Sequence, residues 1–177
     1  MRFADIPAGD TCPEIVNAVI EIPQGSSNKY EYNAALDAFV LDRALYSPLY
    51  YPTEYGWVAG TLSPDGDPLD VLVFTSHPTF TGCVIRARTV GLLHMHDEKG
   101  EDYKIVAVAD TDPRYLEVKS LDGLPKHVLK EIEQFFSVYK QLECKETEVL
   151  GWLGIDAAHK IIQEAIKREQ ESKTYQH

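Results

Sequence analysis

Cysteine is scarce in this chain. Cys12, Cys83 and Cys144 are the only three in 177 residues. Their number is odd and no Cys-x-x-Cys pair occurs, which argues against a zinc site and against a disulfide framework. Buried, reduced thiols in a cytoplasmic protein are the expectation. Long apolar runs are lacking too. No stretch approaches the roughly 20 residues of a membrane span, and Met1-Arg2-Phe3-Ala4-Asp5 has no signal-peptide core. Positive charge is in short supply. Lysine and arginine total 17 against 28 aspartates and glutamates, a formal net charge of −11. Nucleic acid and anionic membrane both need a basic surface, so neither is an expected partner. A small anionic substrate stays compatible, because local cations and bound metal govern its site. With no internal repeat and no linker-like stretch, residues 1–177 read as one domain with a frayed tail at 171–177.

What is present is β-like for two thirds of the chain and helical thereafter. Val16 to Ile22, Tyr30-Glu31-Tyr32, Ala38 to Arg43, Trp57-Val58-Ala59 and Val71 to Phe74 are short strand candidates between turn signals. Cys83 to Leu93 and Tyr103 to Ala109 read as a hairpin joined by the polar tip Asp97 to Glu101. Beyond Pro125 the period changes. Val128, Ile132, Phe135, Phe136 and Tyr139 share a helix face. A second helix is expected from Asp156, as N-cap, to Gln170. Strands followed by helices predict an α+β fold, mainly β, with a helix packed on a small barrel.

The chemistry concentrates at Ser63 to Val71. Asp65, Asp67 and Asp70 crowd together around Gly66 and Pro68. Like charges repel and Gly and Pro break regular structure, so a hard cation is the natural neutraliser: Mg²⁺, Mn²⁺ or Ca²⁺. Asp97, Glu98, Glu101 and Asp102 form a second acidic group, with Lys104 on the same strand face as Asp102. By itself that group reads as a solvated hairpin end. Periodicity alone puts Glu21 on a wet strand face. Lys29 and Glu31 point the same way, and Arg86 and Arg88 read as ion-paired surface arginines. His94 and His96 have strand spacing for a metal pair but no evident third ligand.

Together these residues resemble the soluble inorganic pyrophosphatases of the Mg²⁺-dependent barrel-fold family, family I, of bacterial type. Asp65-Gly66-Asp67-Pro68-Leu69-Asp70-Val71 resembles that family's signature. Around it stand Glu21-Ile22-Pro23 with Lys29-Tyr30-Glu31, then Asp42-Arg43, Tyr51-Pro52 with Tyr55-Gly56, Asp97 to Lys104, and Phe135-Phe136 with Tyr139-Lys140. The likeness spans about residues 5 to 168 in order. It implies a closed five-stranded, OB-like barrel with flanking strands and two C-terminal helices. It implies pyrophosphate as substrate and several Mg²⁺ ions, with Mn²⁺ or Zn²⁺ as substitutes and Ca²⁺ inhibitory. Asp65, Asp70 and Asp102 would hold metal, completed by Asp97 and Glu21. Asp67 would be the general base. Lys29, Arg43, Tyr139 and Lys140 would grip phosphoryl groups, supported by Lys104. Tyr55 would bond within the metal shell, with Glu31 outside it. A homohexamer, a dimer of trimers, is also implied. Glu54 and Trp57 depart from commoner residues, and Glu54 is a possible extra acid near the site.

Competing readings remain. Haloacid-dehalogenase-like phosphatases also use Asp-x-Asp, but on a doubly wound α/β chain. A Ca²⁺ loop fails on Pro68-Leu69 and the missing closing Glu. An oligonucleotide-binding barrel fits the fold class but not the charge.

Overall fold

The computed structural model describes residues 2–174. Its elements, in chain order, are β1 Ile15–Ile22, β2 Asn28–Asn33, β3 Ala38–Ala44, β4 Glu54–Val58, β5 Asp70–Phe74, β6 Val84–Asp97, β7 Gly100–Ala109, α1 Lys126–Val138, β8 Glu148–Leu153 and α2 Ile155–Thr174. Strands pair in the order β1-β4-β5-β7-β6, and β6 also pairs with β1, which closes a ring of five. The β5–β7 pair is parallel. β8 extends the sheet beyond β6, and β2–β3 form a separate hairpin. This is the mainly β, small-barrel fold with two C-terminal helices that the sequence implied.

Packing explains the elements. β5 is apolar at every position after Asp70 because both of its faces are covered. Val71 and Val73 join a cluster drawn from all five ring strands and sealed by Ala158, Ile162 and Ala165 of α2. Leu72 and Phe74 join a second cluster, where Met95 and Val106 meet Ile132, Phe135 and Phe136 of α1. Pro125 precedes α1 with extended backbone, where its missing N–H costs nothing. A third cluster packs Trp57 and Val19 against Phe3, Tyr32 and Phe39. Trp57 stacks on Tyr32 at 5.6 Å. Gly56 lies opposite Ile20, and a Cβ there would sit 1.9 Å from the Val19 carbonyl oxygen. The ring closes that tightly only with glycine.

Several expectations need correction. β8 was not expected; Gly151 interrupts its apolar residues and a bulge breaks its register with β6. β4 begins at Glu54, before Trp57. The hairpin tip is shorter than the acidic run suggests, because β6 continues to Asp97 and β7 resumes at Gly100, leaving Glu98 and Lys99 between them. Glu101 and Asp102 are therefore strand residues. Asp156 lies in the first turn of α2, not at its N-cap, and the Gly154 carbonyl accepts the Ala158 N–H. α2 also continues through Thr174, so residues 171–174 are helical rather than a tail; residues 175–177 lie outside the described residues. All three cysteines are free, as expected, but none is buried: Cys12 and Cys83 are half-buried and Cys144 is exposed. Among the described residues, no helix is long and apolar enough to cross a membrane.

Candidate active site

The site is assembled along the outer face of β5, β7 and β6, where α1 meets the ring. Asp70 opens β5, in phase with Leu72 of the second cluster. On β7, Asp102 and Lys104 keep the same phase as Val106. Lys104 is only 2% exposed. Its Nζ donates to Asp70 at 2.7 Å and to both Asp102 oxygens at 3.1 Å. The same Nζ lies 5.5 Å from the Tyr55 ring centroid and 5.2 Å from that of Phe136. Burial opposes a charge on Lys104, but Asp70 and Asp102 outweigh it and hold its pKa high. Asp102 is raised by burial, an effect that Lys104 opposes and Asp70 adds to.

Tyr55, on β4, donates its hydroxyl to Asp70 at 2.6 Å. Burial, then the Asp70 charge, pushes that phenol well up, so Tyr55 stays a donor. Tyr139, just beyond α1, is buried among Phe135 and Phe136, and burial raises its pKa. Next to it, Lys140 Nζ reaches Asp97 at 3.4 Å and Glu98 at 3.5 Å. Burial opposes ionisation of Asp97, yet the Lys99 amide and Lys140 more than offset it and its pKa falls.

Glu21 corrects the periodicity argument. The β1–β4 register slips between Ile20 and Ile22, so Glu21 is the extra residue of a β-bulge, a device that re-aims a side chain. Its carboxylate turns under β2 and accepts the Tyr32 N–H at 2.9 Å. Burial lifts its pKa to about 7, the Tyr32 bond opposes this, and the Asp70 charge adds to it. It is not on a wet face.

Asp65 and Asp67 occupy the loop before β5, where Gly66 takes φ +94°. Asp65 accepts the Asp67 N–H at 3.1 Å. Lys99, from the hairpin tip, reaches Asp67 at 3.3 Å and Asp65 at 3.6 Å. The opposite wall comes from β2–β3. Lys29 pairs with Glu31 and lies 3.5 Å from Asp42. Arg43 pairs with Asp42 and holds Glu143 through Nε and Nη2, each at 3.0 Å.

The residues singled out for this chemistry fall into three groups: Tyr55, Asp70, Asp102 and Lys104; Asp65, Asp67, Asp97 and Lys140, joined through Lys99 and with Glu98 beside Lys140; and Lys29, Glu31 and Arg43, with Asp42 and Glu143. Glu21 stands apart from these contacts but feels the charges of Asp70 and Lys29. Sequence reasoning gave Glu143 no part, and a lone acid after a helix carries little signal. Glu54 is not an extra acid in these groups. It is fully buried and accepts the Thr79 N–H at 2.8 Å and hydroxyl at 2.7 Å, which fastens the loop after β5. Residues Ala109 to Ser120 turn out to be anchors: Asp110 pairs with Arg88 at 3.0 Å and Asp112 accepts the Ser76 N–H.

The donor set suits hard divalent cations. It is all oxygen, it is crowded, and lysine ammoniums stand between its members. Among the described residues no three His, Cys, Asp or Glu side chains are already arranged to hold a metal ion; Lys104 bridges Asp70 and Asp102, and Lys99 reaches Asp65 and Asp67. Oxygen ligands for hard cations beside a grip for phosphate belong together in metal-dependent phosphoanhydride hydrolases.

Comparison with known proteins narrows the class. The family model described as inorganic pyrophosphatase matches residues 18–170. The inorganic pyrophosphatase of Geobacillus stearothermophilus is 53% identical over 160 residues, 90% of this chain and 97% of that protein. That of Nostoc sp. is 50% identical over 167 residues, covering 94% and 98%. The crystal structure of inorganic pyrophosphatase from Thermus thermophilus superposes with a TM-score of 0.94 at 42% identity, covering 96% of this chain and 99% of that one. The chain belongs to the inorganic pyrophosphatase family.

Proposed function

We propose that this chain hydrolyses inorganic pyrophosphate to two orthophosphates with Asp67 as the general base. The reaction is that of its family, and the enzyme is metal-dependent. The observation that carries the residue assignment is the interleaving of acids and cations, with Lys104 between Asp70 and Asp102 and Lys140 against Asp97. Asp65, Asp70, Asp97, Asp102 and Glu21 would hold the metal ions. Bound divalent cations supply charge neutralisation to pyrophosphate and acidify the attacking water.

The chain's own residues do the rest. Asp67 is 68% exposed, so its carboxylate reaches a water and takes its proton. Tyr55 fixes the orientation of Asp70. Lys29, Arg43, Tyr139 and Lys140 bind the phosphoryl oxygens, and Arg43 and Lys104 balance charge moving onto the leaving phosphate. Glu31 and Asp42 hold Lys29 in place, and Glu143 holds Arg43.

Mg²⁺ is the working metal, with Mn²⁺ or Zn²⁺ as substitutes. Ca²⁺ as the sole cation inhibits, because its larger, looser shell misplaces the water. Residues 1–177 act as one domain in the cytoplasm. Exposed Leu36, Leu41 and Phe80 supply apolar surface for a homohexamer, whose number rests on the family resemblance. Phosphate release from pyrophosphate at millimolar Mg²⁺, compared with Ca²⁺ and with chelator, tests the activity. Absence of release with Mg²⁺ overturns it. Light scattering after size exclusion tests the assembly, and an active monomer overturns that.

A further inference from the structure

The two faces of the β6–β7 hairpin carry different chemistry. Asp97, Asp102 and Lys104 lie on the catalytic side. His94, His96 and Glu101 have the opposite phase, that of Leu92 and Ile105 in the ring cluster. Register places His96 directly across from Glu101 and His94 across from Tyr103. His94 Nε2 and Glu101 Oε2 are in hydrogen-bond contact, and His96 Nε2 lies 3.1 Å from the other carboxylate oxygen. The Tyr103 ring stacks on His94 at 4.8 Å and 20°, which fixes the imidazole plane. On the other flank Glu148 of β8 lies opposite His96.

We propose that His94, His96 and Glu101 form a second cation site, for Zn²⁺, on the face of the hairpin away from the catalytic carboxylates. Two imidazoles and one carboxylate are the ligands zinc takes, with water in the fourth position, whereas Mg²⁺ favours oxygen alone. Both imidazoles already present Nε2 to one small region from adjacent strands. The carboxylate of Glu101 contacts both rings, and as placed the three donors are not arranged to hold a metal ion. Half exposed, Glu101 can rotate aside and return as a ligand. An ion so held ties β6 to β7 directly behind Asp97 and Asp102.

This inference does not rest on the catalytic assignment, and its test is read without turnover. The full-length protein is equilibrated with Zn²⁺ in a large excess of Mg²⁺, which occupies all-oxygen sites. Bound zinc per chain and the melting temperature are then measured. The expected result is one Mg²⁺-resistant zinc per chain and a raised melting temperature. His94→Gln combined with His96→Gln, which removes two of the three ligands, should abolish the Mg²⁺-resistant zinc and the melting shift, with unchanged Mg²⁺-supported hydrolysis. Glu101→Gln, with both imidazoles intact, should give an intermediate loss. A wild-type chain that binds no zinc under excess Mg²⁺, or a double variant that keeps its zinc, overturns the proposal and leaves the three residues as a hydrogen-bonded cluster.

Discussion

Two halves of the acidic site are held in opposite ways. Asp70 and Asp102 stand at 29% and 21% side-chain exposure, locked on a 2%-exposed lysine by strand pairing. Asp65 and Asp67 sit on a loop at 37% and 68%, tied to a lysine that is itself 57% exposed. The buried half has geometry imposed by the barrel and the exposed half does not. Of the proposed ligands, Asp70 and Asp102 lie in the first half and Asp65 in the second, beside the proposed base Asp67, which needs access to water.

The division breaks most visibly by mutation. Asp67→Asn should lower turnover by roughly 10²–10⁴-fold while metal affinity stays close to wild type. Asp70→Asn should weaken metal binding as well. Metal titration beside steady-state rates checks this, and equal damage to affinity and rate in both variants would collapse the distinction. Next in size, Lys104→Gln leaves two half-buried carboxylates without their buried cation. In chelator it should cost roughly 3–5 kcal/mol of unfolding free energy, read by urea denaturation. Excess Mg²⁺ should narrow that gap, because it substitutes for the lost charge.

Glu21 sharpens the comparison through pH. Its pKa rises from 4.5 unfolded to about 7 folded, so between those values the folded state holds more protons. Folding stability of the metal-free protein should therefore fall as pH rises from 4.5 to 7, by about 3 kcal/mol at most. Glu21→Gln should flatten that part of the profile, measured by melting in chelator across the range. Lys99→Ala is the smallest change. Its exposed pairs should contribute less than about 1 kcal/mol, while removal of the competing ammonium should tighten Mg²⁺ binding a few-fold by calorimetry.

The sequence revealed most of the barrel because β1, β5 and β7 each hold an apolar run, Ala18 to Ile20, Val71 to Phe74 and Ile105 to Ala109, and α1 keeps a helical stripe after Pro125. The aspartate loop was legible because no folding element needs three acids around Gly and Pro. Other features depend on distant partners. The burial of Glu21 follows from a bulge that two strands create jointly. Glu143 matters because Arg43, a hundred positions away, reaches it. Lys99 gains a role only when the hairpin bends over the loop. Glu54 suggested an extra site acid, yet Thr79 occupies its carboxylate.

Ring closure has a consequence for synthesis on the ribosome. β1 is among the first strands to emerge, but one of its edges finds its partner only when β6 has followed, and Lys140 and Glu143 come later still. A nascent chain that ends within β5 would carry the aspartate loop on an open sheet, with no Lys104 to neutralise Asp70. Such a chain should remain unfolded or held by chaperones, and the barrel should form late and at once rather than strand by strand.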